Sequence, residues 1–126
     1  MNTVIDASAL LAMLQDEPGG DRVVAALPDA AISAVNVSEV VAKLCDKGFQ
    51  PDQARETLEM LAMNVVDFDQ PQAVEAGLLR RTTRAFGLSL GDRACLALAA
   101  RSDASAMTTD RAWAQIEIGI SVDVIR

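Results

Sequence analysis

Four acidic residues stand where an apolar run meets a turn or a helix: Asp6, Glu39, Asp92 and Asp110. Asp6 closes Thr3-Val4-Ile5. Glu39 opens the helical stretch that follows Ala31-Ile32-Ser33. Asp92 opens Arg93-Ala94-Cys95-Leu96-Ala97-Leu98-Ala99, and Asp110 follows Ala106-Met107-Thr108-Thr109. If these runs are parallel strands and their crossover helices, all four carboxylates gather at one edge of one sheet. Like charges at close range repel and raise one another's pKa, so a carboxylate cluster costs stability on its own. A divalent cation removes that cost. The pattern therefore reads first as a magnesium or manganese site.

Each acid also has a plain structural use. Asp6 can cap the helix after the first strand, and Asp110 the short helix before Trp113. Asn36-Val37-Ser38-Glu39 matches a capping box with Glu39 reaching back to Asn36, and Ser89-Leu90-Gly91-Asp92 is a weaker version of it. Four acids at such positions favour a site over four independent caps. Asp6 ends a strand apolar enough to be central, where an unpartnered carboxylate bears a desolvation cost.

The chain contains no histidine. That excludes Ser-His-Asp and Cys-His catalysis, histidine zinc sites and a histidine general base. Cys45 and Cys95 are far apart and form no Cys-x-x-Cys pair, so they read as two reduced core thiols. The net charge of −7 argues against nonspecific binding to nucleic acid or anionic membrane. It does not exclude a nucleic-acid enzyme, because a bound metal and local arginines reverse the field at the site.

The elements that must position the acids follow from periodicity and breakers. With 126 residues, 51% of them apolar and only 3% aromatic, the chain suits one domain, residues 1–126, around an aliphatic core. Strands are expected at 2–5, 30–33, 64–67, 106–108 and 121–125. Helices are expected at 7–14, 21–27, 37–47, 51–63, 70–86 and 90–101, with one or two helical turns at 110–115. Gly48 and Gly87 end two of the helices. Strands alternating with helices give an α/β three-layer sandwich with a mostly parallel central sheet. No run reaches the ~18 apolar residues that span a membrane. The N-terminal stretch lacks a basic lead, so a cytoplasmic location is expected.

Val-Ile-Asp-Ala-Ser at 4–8, Val-Ser-Glu-Val at 37–40, Leu-Gly-Asp-Arg-Ala-Cys-Leu-Ala-Leu-Ala at 90–99 and Thr-Thr-Asp-Arg-Ala-Trp at 108–113 resemble the four acidic motifs of PIN-domain ribonucleases. Among these the chain is most similar to VapC toxins of bacterial toxin–antitoxin pairs. The resemblance covers essentially the whole chain in order and spacing. It implies a PIN-like fold, an acidic quartet of Asp6, Glu39, Asp92 and Asp110, and Ser8 and Thr109 as polar helpers near the metal or its waters. It also implies an RNA substrate, a small VapB-like antitoxin that masks the site, and a toxin homodimer.

Phosphodiester hydrolysis needs an activated water and neutralised phosphate charge, and oxygen-ligated Mg2+ or Mn2+ supplies both without histidine. Asp6 and Asp92 are then expected as main ligands, Asp110 as a ligand directly or through water, and Glu39 as the holder of a water on the metal. Candidate RNA contacts are Arg80, Arg81 and Arg84, which form a basic helix face, and Arg93 and Arg111, each next to an acid. A solvated face and surface salt bridges are the plainer uses of these arginines. Trp113 is expected in the core. Met60 and Met63 on the helix pair 37–47 and 52–63 hint at a surface for a partner helix.

Three other readings compete. A solitary PIN nuclease would process RNA without an antitoxin. A phosphoacceptor signalling module would want an adjacent acidic pair after the first strand and a lysine after the last, yet the only lysines are Lys43 and Lys47. An aspartyl-phosphate phosphatase would want Asp-x-Asp after the first strand, and residue 8 is serine.

Overall fold

Five short runs of small and branched apolar residues form the sheet. They are β1 (Thr3–Ile5), β2 (Ala30–Ser33), β3 (Asn64–Val66), β4 (Ser105–Thr108) and β5 (Val122–Val124). The computed structural model describes residues 2–126. The strand order is β3-β2-β1-β4-β5 and every pairing is parallel. The chain steps outward from β1 to β3, then crosses back to place β4 on the other side of β1. Strand order thus reverses between β1 and β4, and in such sheets ligands sit beyond the carboxyl ends of the strands at that point.

The helices are α1 (Ala7–Leu14), α2 (Gly20–Ala26), α3 (Ala34–Asp46), α4 (Pro51–Leu61), α5 (Gln70–Leu78), α6 (Arg80–Thr83) and α7 (Leu90–Ser102). Short 3-10 turns follow α2, α6 and β4, at Leu27–Asp29, Arg84–Phe86 and Arg111–Gln115. Strand side chains alternate between faces. Ile5, Ile32 and Met107 pack with Leu10, Val23, Val40, Leu44 and Ala54 of α1–α4. Val4 and Ala106 pack on the other face with Leu96, Leu98 and Ala99 of α7. Burial of each large aliphatic side chain contributes about 1.5–3 kcal/mol, so the sheet is clamped from both sides. The three-layer α/β sandwich expected from the sequence is therefore observed, with its sheet wholly parallel.

Several boundaries differ from expectation. Helix α3 begins at Ala34, not Val37, because Ser33 caps it by accepting from the Val35 N–H at 3.2 Å. Glu39 therefore lies in the second turn, not at the helix start. The stretch 70–86 is not one helix. At its break the Leu79 carbonyl accepts from the hydroxyls of Thr82 and Thr83 at 3.2 and 2.9 Å, bonds that compete with regular helical pairing. Helix α4 stops at Leu61 because Ala62 turns left-handed, at φ 49°. Cys95 is a core residue, but Cys45 is exposed, one residue past the buried Leu44 and so rotated off the core face of α3.

Candidate active site

Asp6 sits one residue past β1 and is 3% exposed. Its backbone N–H continues the sheet by donating to the Met107 carbonyl at 3.0 Å. Its carboxylate takes three donors. Oδ1 accepts from the Ser8 hydroxyl at 2.7 Å and from the Ala9 N–H at 2.8 Å, the latter capping α1. Oδ2 accepts from the Thr108 hydroxyl at 2.6 Å. Burial nonetheless wins. It pushes the Asp6 carboxyl up to about 6, the three hydrogen bonds pull down, and the Asp92 charge adds to the rise.

The same hydroxyls tie β1 to β4. Ser8 Oγ accepts from the Thr109 N–H at 3.0 Å, and Thr108 Oγ1 accepts from the Asp110 N–H at 3.1 Å. The register that pairs Ile5 with Met107 sets Thr108 beside Asp6 across the switch point. Asp110 then starts the 3-10 turn and accepts from the Ala112 N–H at 3.0 Å. Trp113, three residues on, is 1% exposed and pins that turn into the core. Trp113→Ala would cost about 3–5 kcal/mol and free the segment carrying Asp110.

Asp92 lies in the first turn of α7, which has the expected capping box. Ser89 Oγ accepts from the Asp92 N–H at 3.2 Å, and Asp92 Oδ2 accepts from the Ser89 N–H at 2.9 Å. The pattern at 36–39 makes no such box. Inside α3 the Asn36 Nδ2 donates to Glu39 Oε1 at 2.7 Å and to the Gly91 carbonyl at 3.1 Å. Asn36 thereby joins the helix of Glu39 to the helix of Asp92. Glu39 lies over Gly91 so closely that a β-carbon on residue 91 would collide with its carboxylate.

All four acids line one cavity of about 220 Å³, together with Ser8, Asn36 and Lys43. Four elements deliver them: the β1–α1 junction, α3, α7 and the turn after β4. Their combined field is felt beneath the cavity. Burial pushes the Cys95 thiol well up, and the charges of Asp6, Asp92 and Glu39 add to it.

The donor set is all hard oxygen, as Mg2+, Mn2+ or Ca2+ requires. Asn36 adds a buried amide oxygen that has no partner among the described residues. Spacing is less complete, since among the described residues no three acidic side chains stand close enough together to hold one ion. Asp92 and Asp110 are each turned toward a helix-capping N–H.

Three residues were missed in the sequence. Thr108, rather than Thr109, supplies the hydroxyl on Asp6, and Thr109 contributes its backbone N–H. Asn36 is the bridge, and Lys43 is a cation within the cavity lining. Of the candidate RNA contacts, Arg80, Arg81 and Arg84 are exposed. Arg93 is half-buried and donates to the Ala76 carbonyl at 2.9 Å, while Arg111 donates to the Arg126 carbonyl at 3.1 Å.

A family model described as the PIN domain matches residues 3–119. The chain belongs to the PIN domain family. Its fold is that of solved toxin–antitoxin proteins. Against VapBC2 from Rickettsia felis, bound to a promoter DNA fragment, the TM-score is 0.74 at 15% identity, covering 98% of each chain. Against DNA-bound VapBC from Salmonella typhimurium it is 0.74 at 17% identity, covering 98% of this chain and 97% of that one. Against VapBC-5 from Mycobacterium tuberculosis it is 0.62 at 23% identity, covering 99% and 98%. No curated protein matches this PIN domain by sequence. Among the described residues no helix is long and apolar enough to cross a membrane.

Proposed function

We propose that this PIN domain is a metal-dependent endoribonuclease, the toxin of a toxin–antitoxin pair. The observation that carries the reading is the convergence of four carboxylates, from four separate elements, on one cavity at the point where strand order reverses. Asp6, Asp92 and Asp110 are the side chains that would hold Mg2+ or Mn2+, with Asp92 and Asp110 turning to the ion from the N–H groups they now cap. Bound there, the ion would supply charge neutralisation at the phosphate and a water of lowered pKa.

The chain's own residues do the rest. Ser8 and Thr108 fix both oxygens of Asp6 and keep the carboxylate facing the cavity. Asn36 and Gly91 fix Glu39, which is half-buried and free to take a proton from an attacking water or to orient it. Asn36 also holds the first turn of α7, and so the height of Asp92.

Two surfaces support a partner. Leu10, Ile32, Leu58, Met63 and Val65 line an apolar cavity of about 210 Å³ beside α4. On α5, Val74 and Leu78 are exposed one turn apart. The first suits an apolar segment of an antitoxin and the second a toxin homodimer. Among the neighbours in fold, a Klebsiella pneumoniae protein was solved as a toxin–antitoxin complex.

Induced expression of the chain alone tests the toxin reading. Growth should arrest, the arrest should disappear with Asp92→Asn, and a small antitoxin encoded beside this chain should relieve it on co-expression, as the reading requires. Undisturbed growth, with active nuclease in the cells, would make this a solitary RNA-processing enzyme instead.

A further inference from the structure

Among the described residues Lys43 is the one cation that lines the acidic cavity. It follows Glu39 by four residues on α3, so the two side chains share a helix face on successive turns. That spacing ordinarily gives a Glu–Lys ion pair. Here it does not, because Asn36 and the bare backbone at Gly91 draw the Glu39 carboxylate toward α7. Among the described residues Lys43 has no carboxylate within 4 Å and no hydrogen bond, and it is exposed. Its ammonium is therefore engaged in no direct ion pair with the acids.

The neighbouring arginines leave the role open. Arg93, next to Asp92, gives its guanidinium to the Ala76 carbonyl. Arg111, next to Asp110, is turned to the chain end at Arg126. A polyanion entering a cavity lined by four carboxylates needs a cation on the wall that no metal occupies. An ammonium on a four-carbon stem, with three rotatable donors, can follow a phosphate as it settles.

We infer that Lys43 is a phosphate-binding residue of this site, donating from Nζ to a nonbridging oxygen of an RNA phosphate at or beside the cleaved bond. The inference rests on the nuclease reading above and adds to it the group that recognises the substrate backbone. Lys43 reads no base, so its contribution is the same for every sequence.

The test compares wild type, Lys43→Gln and Lys43→Arg on a fluorescent single-stranded RNA of mixed sequence. Affinity is measured by anisotropy in Ca2+, across a range of salt, and cleavage in Mn2+. One phosphate contact fewer should make the slope of log K against log salt shallower by about 0.7. Lys43→Gln should show that change and raise KM about tenfold with kcat nearly unchanged, as loss of uniform binding does. Lys43→Arg should restore most of both. Melting temperature and Mn2+ affinity should not fall in Lys43→Gln.

An unchanged slope and unchanged KM in Lys43→Gln would overturn the inference. So would a drop in melting temperature with the slope intact, which would mean that Lys43 only offsets acid repulsion. If wild type binds RNA but cleaves none in Mn2+, the nuclease reading falls by itself, and the salt slopes still decide for or against Lys43.

Discussion

The carboxylate of Glu39 occupies the space that a β-carbon on residue 91 would need. Two helices meet there without an intervening side chain, and Asn36 fastens the contact by bonding both sides. Glycine at 91 is thus a requirement of the site, not of the helix, where alanine is the better residue by about 1 kcal/mol.

Gly91→Ala should separate stability from function. The new methyl displaces only the end of a flexible glutamate, so helix propensity offsets the strain and the melting temperature should stay within a few degrees. Activity should fall about 10–100-fold, as when a group that orients a ligand is disturbed. Kinetics beside a thermal melt check this. Full activity with alanine at 91 would mean that the position of Glu39 is immaterial.

Asp6 should give the metal-free protein an inverted acid response. Its carboxyl lies at about 6 in the fold against 3.8 ordinarily. The folded state therefore holds the proton at higher pH than the unfolded state does. Its contribution to stability is fully present below about pH 4 and is lost as pH rises through about 6. The loss is on the order of 3 kcal/mol. Metal-free protein should melt higher at pH 5 than at pH 7.5, and Asp6→Asn should flatten that difference. In the asparagine variant Oδ1 still caps α1, and the Thr108 hydroxyl turns to accept. A wild-type melting temperature that rises from pH 5 to 7.5 would count against the buried, charged Asp6.

These acids also show what the sequence could and could not reveal. Asp6 and Asp110 follow short apolar runs closed by polar residues, so the strand ends, and with them the edge of the sheet, were readable. Glu39 was placed at a helix start because Asn36-x-x-Glu39 imitates a capping box. Strand β2 runs straight into α3 with Ser33 as its cap, leaving no turn residues to mark the start. Thr108 and Thr109 could not be told apart, since four residues of strand are too few for alternation to settle which one faces Asp6. Lys43 was missed although its spacing gave a signal, since four residues past Glu39 is one helical turn. Cys45 fell on the wrong side because the core face of α3 runs through Asn36, Val40 and Leu44, which only packing defines.

Arg80, Arg81 and Arg84 test the wider electrostatics. They are exposed and precede the α7 cap in the chain, and surface substitutions of this kind change stability by about 0.5 kcal/mol or less. Replacing all three with alanine should leave the melt intact and weaken RNA binding. If each contacts a phosphate, the salt slope should become shallower by about 2. Unchanged affinity would assign this face to solvent or to a partner protein.

On the proposed function these four carboxylates form a hard-cation site that hydrolyses RNA. Its most direct test is the cleavage of total RNA by purified protein in Mn2+ or Mg2+, with and without EDTA, beside Asp92→Asn. The wild type should cleave with either ion, stop in EDTA and resume when Mn2+ is restored. Asp92→Asn should be slower by about 100-fold or more without melting lower. Undiminished cleavage in EDTA, or an Asp92→Asn variant as active as wild type, would contradict the account.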